Sequence, residues 1–334
     1  MILAGDIGGT KTNLGLFQER DGELRPLYLD SYPSREHIGL EVIVTKFMSK
    51  VAAKGGEFAE PVRAASFGIA GPIIDGKCDT TNLPWVVSAH QLARTLNLPD
   101  SSVTLLNDLE ATAHGVFELK DEEFVSLNQG HNTKGNAGLV AAGTGLGIAC
   151  FFWDGTQLIP SASEGGHVDF APRNQMEMNL LRYLIPKYGH VSVERIVSGP
   201  GLHTIYEFLR ESGYHEESPG IRERMLQDDP SSVVSKAALS GECPMCVQAL
   251  DMFSGIYGAT AGNLALTLKS LGGIYIGGGI APKIIEKLKD GTFMGAFLDK
   301  GRFASLLATI PVRVIMNDKT ALLGAARVAA DTAT

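Results

Sequence analysis

The stretch Gly5-Asp-Ile-Gly-Gly-Thr-Lys-Thr12 falls one residue short of a Walker A loop, with Thr10 standing where that pattern needs its second glycine. A Walker loop passes its phosphate to the first amides of a helix. Here Asn13-Leu-Gly-Leu-Phe17 follows and alternates like a strand, which predicts a glycine turn between two strands. Such a turn aims backbone N–H groups at a phosphate, because a side chain at Gly8 or Gly9 would block the approach. Thr10 adds a hydroxyl and Lys11 a positive charge. Asp6, just ahead of the turn, would be repelled by bare phosphate, so its presence argues for Mg²⁺ between them, held directly or through water.

A second copy of this pattern comes later. Residues 139–158 read as strand, Gly143-Thr144 turn, strand and Asp154-Gly155 hairpin, as Gly9-Thr10 and Asp21-Gly22 do near the start. Two glycine-threonine turns in separate halves of the chain predict two related α/β domains facing one another, with an oligophosphate gripped between them. Gly277, Gly278 and Gly279 form a third glycine loop.

Other residues suit a different ligand. Asn107-Asp108 closes one strand and opens a helix, a place where ligand-facing residues collect in α/β folds and also where Asn and Asp serve as N-caps. Both readings stay open. A carboxylate there can accept a proton late in phosphoryl transfer from an alcohol. Glu164-Gly-Gly-His167 and Glu194 add carboxylates and an imidazole, the set a polyhydroxyl ligand wants. Zinc finds no support, since Cys243-Pro-Met-Cys246 has no second pair and His167 no H-E-x-x-H context. A serine-hydrolase elbow is absent. Trp85 could line a sugar pocket, though packing is the commoner fate of such a residue.

These residues need scaffolding, and periodicity supplies it. Strands are predicted at residues 2–5, 12–18 and 24–32, a helix over 40–51, buried strands at 62–69 and 103–106, and a helix from 108 through 117. In the last third, residues 251–271 read as a long helix, 274–276 as a strand, Pro282 as a first helical residue, 312–316 as a final strand and 320–330 as a small-residue helix. Residues 212–240, rich in Glu, Asp, Ser and Pro, read as a surface excursion. The expected division is a small domain of residues 1–118 plus 309–334 and a large domain of 119–308.

Composition narrows the class. A chain of 334 residues is long enough for two domains, and with 44% apolar and 20% charged residues it can bury an ample core. A net charge of -8, with no basic stretch interleaved with aromatics, argues against a nucleic-acid partner. No apolar stretch is long enough to span a membrane, no targeting signal is evident, and four cysteines form no disulfide framework, so a cytoplasmic location is expected.

With those pieces placed, the chain resembles the bacterial ATP-dependent glucokinases, within the superfamily of sugar kinases, actin and chaperone ATPases. Gly5-Asp-Ile-Gly-Gly-Thr10 is similar to that family's first phosphate motif, Leu106-Asn-Asp108 to its catalytic strand end, and Ala142-Gly-Thr-Gly-Leu-Gly147 to its second phosphate motif. Glu164-Gly-Gly-His-Val-Asp-Phe-Ala-Pro172 and His190-Val-Ser-Val-Glu-Arg-Ile-Val-Ser-Gly-Pro-Gly201 resemble its sugar signatures, and Ile276-Gly-Gly-Gly-Ile-Ala-Pro282 its adenosine loop. The resemblance implies a two-lobed, actin-like (ribonuclease H-like) α/β fold with an interdomain cleft, ATP and Mg²⁺, and a homodimer. It implies Asp108 as base toward the C6 hydroxyl of D-glucose, with Asn107, Glu164, His167 and Glu194 on the other hydroxyls. The sister family of repressors and sugar kinases carries a cysteine cluster after its histidine, and residues 168–172 have none. Another hexose, such as mannose or N-acetylglucosamine, or a non-catalytic sugar sensor are the alternatives.

Overall fold

The computed structural model describes residues 1–80 and 82–333; Thr334, the end of the expected small domain, lies outside the described residues. The chain divides into two compact units: Met1–Asp121 with the chain from Asn317 onward, and Glu122–Met316.

In the first unit, strands β1 (Ile2–Ile7), β2 (Lys11–Arg20) and β3 (Glu23–Pro33) form an antiparallel meander. Helix Leu40–Ala52 then crosses back so that β4 (Ala64–Ile69) runs parallel to β1. A small antiparallel sheet of β5 (Ile73–Ile74), β6 (Lys77–Asp79) and β7 (Val86–Ser88) precedes helix Ala89–Leu96. Strand β8 (Val103–Asn107) completes the main sheet, whose order is β3-β2-β1-β4-β8. The two-residue period of β1 sorts its side chains. Leu3 and Ile7 enter the core with Leu40, Ile43 and Phe47, while Ile2 and Ala4 pack against Leu322, Ala325 and Ala329 of the C-terminal helix Thr320–Thr332. Asp6 therefore shares a face with that helix. Helix Asp108–Gly115 lies against Thr320–Thr332 so closely that a Cβ on Gly324 would sit 1.8 Å from the Ala111 carbonyl oxygen.

The second unit contains β9 (Phe124–Asn128), β10 (Ala137–Ala142), β11 (Leu146–Trp153), β12 (Leu158–Ser163), β13 (Gly273–Gly277) and β14 (Val312–Ile315). Its order is β12-β11-β10-β13-β14-β9. From β12 to β14 this repeats the first sheet: an antiparallel meander, then two parallel strands. The duplication read from two glycine-threonine turns is a duplication of whole sheets.

Three expectations need correction. The expected division places strand 312–316 in the small domain, yet Val312–Ile315 pairs with β13 and β9 and belongs to the second unit's sheet. The long helix is Pro244–Leu268, starting earlier because Cys243 caps it and Pro244 suits its first turn. The polar stretch 212–240 is no loose excursion: helices Pro219–Gln227 and Pro230–Leu239 bury Ile221, Val233, Val234 and Ala237 in the core.

Candidate active site

In the first unit, the C-terminal ends of β1, β4 and β8 lie side by side, with Asp6 opposite Gly68 and Ile69 opposite Asn107. Gly68 is needed there, because a Cβ would meet that of Ala111 at 2.7 Å and lift helix Asp108–Gly115 off the sheet. Of the two readings open at Asn107-Asp108, the cap is seen directly, and it falls to Asn107. Asn107 is the N-cap, its Oδ1 accepting the Leu109 amide at 2.9 Å and its Nδ2 donating to the Gly71 carbonyl at 3.2 Å. Asp108 is the first helical residue and reaches solvent.

Burial raises the Asp108 carboxyl above its ordinary pKa, opposed by the amides of Leu109 and of Asp108 itself. Asp6 is raised as well: burial dominates, the hydrogen bond from Asn13 opposes it, and the negative charges of Asp108 and Asp318 add to it. Lys11 acts against them. The residues from Gly8 to Lys11 form the β1–β2 turn, closed by the Gly8 amide on the Lys11 carbonyl at 3.0 Å. Among the described residues, the amides of Gly9 and Thr10 make no protein hydrogen bond. Gly9 has a steric reason of its own, since a Cβ would meet that of Asn82 at 2.6 Å. Ser34, buried, buttresses the turn: its Oγ donates to the Gly8 carbonyl and its amide to that of Thr10. Nothing in the local pattern of the sequence singles Ser34 out.

In the second unit, the turn of Gly143, Thr144 and Gly145 joins β10 to β11, closed by the Gly143 amide on the Gly145 carbonyl at 2.8 Å. The loop of Gly277, Gly278 and Gly279 lies against it. Gly278 has φ +80°, and a Cβ there would sit 2.2 Å from the Ala142 carbonyl oxygen. Beneath both, the Tyr257 hydroxyl lies 3.0 Å from the Val140 carbonyl and 3.3 Å from that of Gly277. A cavity of about 670 Å³ opens here, lined by Gly143, Thr144 and Gly279 together with Ser231, Ser235 and Lys283. Ser231 and Ser235 come from the polar stretch 212–240, whose composition conceals a pocket wall.

His167 and Glu194 meet at the start of β11, and Glu164 opens the loop that carries His167. The loop after β12 is pressed onto that strand by Gly166, where a Cβ would lie 2.0 Å from the Leu146 carbonyl oxygen. It also pairs with the later segment through Phe170 N–H to the Val191 carbonyl and Val193 N–H to that of Val168. This brings His167 Nε2 within 4.0 Å of Glu194 Oε1, while Glu194 Oε2 accepts the Leu146 amide at 2.9 Å. Glu164 precedes the short turn and accepts the His167 amide with its carbonyl. Trp85 lies elsewhere, buried in the first unit's core with its Nε1–H on the His37 carbonyl. No cluster of three metal-ligating side chains occurs among the described residues.

A repeated strand-turn-strand, one turn beside a nucleotide-sized cavity and the other beside half-buried Asp6, is the arrangement expected of a sugar kinase of the two-lobed, actin-like ATPase fold. The comparisons with known proteins narrow this. The glucokinase family profile matches residues 3–332. The glucokinase of Nostoc sp. strain PCC 7120 is 41% identical over 99% of each chain, and that of Synechocystis sp. strain PCC 6803 is 43% identical over 98% of each. Among solved structures, glucokinase from an Antarctic psychrotroph superposes with TM-score 0.84 at 28% identity, covering 99% of this chain and 98% of the other. A ROK family glucokinase from Streptomyces griseus, solved with glucose and AMPPNP, shares the fold at TM-score 0.62 and 21% identity, over 99% of each chain. The chain belongs to the glucokinase family. It is an ATP-dependent sugar kinase, a phosphotransferase acting on glucose.

Proposed function

We propose that the chain transfers the γ-phosphoryl group of Mg-ATP to the C6 hydroxyl of D-glucose, with Asp108 orienting that hydroxyl and accepting its proton. A loose transition state asks for an oriented nucleophile more than a strong base, which a carboxylate of modestly raised pKa supplies. Asn107, Glu164, His167 and Glu194 bind the remaining hydroxyls. Gly8, Gly9, Thr10 and Lys11 with Gly143 and Thr144 hold phosphate oxygens, and Gly277, Gly278 and Gly279 border the adenosine. The observation that carries this reading is the meeting at Leu146: the side chains suited to a polyhydroxyl ligand and the phosphate-type turn share one hydrogen bond.

Mg²⁺ fits Asp6. Its half-buried carboxylate has two other carboxylates near enough to raise its pKa and one lysine opposing them, an excess of negative charge that a divalent cation would relieve. When bound, the ion would neutralise charge on the transferring phosphoryl group. With no three-carboxylate cage among the described residues, water and phosphate would complete its shell. The same reading includes a cytoplasmic homodimer, which light scattering can check.

The test is ADP release from Mg-ATP by wild type and Asp108→Asn with glucose, mannose, fructose, N-acetylglucosamine or no sugar. Glucose-dependent turnover lost in the variant supports both the acceptor and the base. Turnover greater with another hexose would move the acceptor assignment, and an active variant would remove Asp108 from the base role.

A further inference from the structure

Three polar residues stand in a row across the first unit's meander. Asp6 on β1 is directly opposite Asn13 on β2, and Asn13 is directly opposite Ser31 on β3. They are joined: Asn13 Nδ2 donates to Asp6 Oδ2 at 3.1 Å, and Ser31 Oγ donates to Asn13 Oδ1. Among the described residues, Asp6 Oδ1 makes no hydrogen bond. We propose that Asn13 is a positioning residue for the reaction's divalent cation, anchoring one oxygen of Asp6 and leaving the other for the ion's shell, with Ser31 fixing the amide.

The chemistry allows only one arrangement. A flipped Asn13 amide would set its carbonyl oxygen against the Asp6 carboxylate, so the Nδ2 side must face inward. That leaves Oδ1 facing β3, where a hydroxyl donor is needed and Ser31 provides one. A carboxylate held by one oxygen keeps the other aimed, which matters because Mg²⁺ demands near-ideal octahedral geometry. The partners that orient a metal-binding carboxylate typically change metal affinity by about 10- to 100-fold when removed. The register explains why the device works: residues directly opposite on one sheet face have Cβ atoms about 5 Å apart, which suits Asp-to-Asn contact without reaching. The outer end of the row borders a small cavity with Asp30 and Lys319, so Ser31 can be changed without disturbing the core.

This inference rests on Asp6 being the cation's carboxylate, and the experiment separates the two. Mn²⁺ binding to the enzyme with ADP would be followed by electron paramagnetic resonance for wild type, Asp6→Asn, Asn13→Leu, Asn13→Gln and Ser31→Ala. The expected result is loss of tight Mn²⁺ binding in Asp6→Asn, about 10-fold weakening in Asn13→Leu, partial recovery in Asn13→Gln and a few-fold weakening in Ser31→Ala. In turnover, the Mg²⁺ requirement should rise in Asn13→Leu while the KM for glucose stays within about twofold. Wild-type Mn²⁺ affinity in Asn13→Leu, with Asp6→Asn impaired, overturns the positioning role alone. Wild-type affinity in Asp6→Asn overturns the metal reading and this inference with it. Should Asn13→Leu fail to fold, Ser31→Ala decides, and unchanged affinity there counts against the proposal.

Discussion

The amide of Leu146 donates to Oε2 of Glu194 at 2.9 Å, while the other oxygen of that carboxylate lies 4.0 Å from His167 Nε2. One side chain thus joins the end of a phosphate-type turn to a histidine suited to sugar hydroxyls. This changes what its removal should do. On the sequence alone, Glu194→Ala would weaken glucose binding and spare ATP. In the structure it also orphans the Leu146 amide, an unmade bond that costs about 1–3 kcal/mol where water is excluded. Calorimetry should therefore find both glucose and ATP binding weakened in Glu194→Ala. Glu194→Gln keeps an acceptor for Leu146 and should lose glucose affinity with ATP nearly intact. Equal ATP affinity in wild type and Glu194→Ala would mean that the bond does not hold the turn.

The glycines of the second turn differ in what they permit. A Cβ at Gly143 would meet nothing within 4 Å, whereas one at Gly145 would lie 2.6 Å from Glu194 Oε2. Gly143→Ala should leave the melting temperature unchanged or slightly higher, since replacing an unstrained glycine stabilises by about 0.4–1 kcal/mol through the unfolded chain. Its KM for ATP should nonetheless rise if the turn receives phosphate. Gly145→Ala should act on the sugar side, displacing Glu194 and raising the KM for glucose. An unaltered KM for ATP in Gly143→Ala would place the phosphate elsewhere.

Asp108 sets activity against stability. Partial desolvation raises its pKa in the folded protein although the residue reaches solvent, so the folded state releases this proton at higher pH than the unfolded chain does. The group favours folding most below its unfolded pKa, and that advantage disappears as pH rises through the folded value. Asp108→Asn should accordingly raise the melting temperature at pH 8 more than at pH 4, while lowering kcat by roughly 10² to 10⁴. The acid limb of wild-type kcat/KM should lie above the ordinary aspartate pKa of about 3.9. A variant less stable at pH 8 would show that the carboxylate contributes more to its helix than its burial costs.

What the sequence disclosed follows the range of the interactions involved. The two glycine turns, the β-meanders and the helix cap at Asn107 are local, written within a few residues, and alternation or spacing reveals them. The link from Glu194 to Leu146 spans 48 positions and depends on the loop carrying Glu194 packing onto the start of β11. Gly278 needed its φ and its approach to Ala142 to be seen as more than loop filling. Residues 212–240 misled for a compositional reason. Their helices bury only one narrow apolar stripe each, Ile221 in one and Val233, Val234, Ala237 and Ala238 in the next, and a stripe that short stands out only beside the surface that covers it. Val312–Ile315 reads as a buried strand from sequence, but which of two similar sheets receives it is a matter of tertiary pairing.

Helix Pro230–Leu239 supplies the last prediction, because it turns a stretch first read as surface into a wall of the cavity beside Gly143. Asp229 caps it by accepting the Ser232 amide, and Val233, Val234 and Ala237 hold it to the core. Ser235 lines the cavity, its hydroxyl donating to the Ser232 carbonyl within the helix. Ser235→Phe therefore projects bulk into the cavity without altering the buried face. The expected outcome is a KM for ATP raised about 10-fold or more, a KM for glucose within about twofold, and little change in melting temperature. Steady-state kinetics with each substrate varied in turn will check it. A variant that binds ATP normally would place the adenosine outside this cavity, and the three-glycine loop at its rim would then need another role.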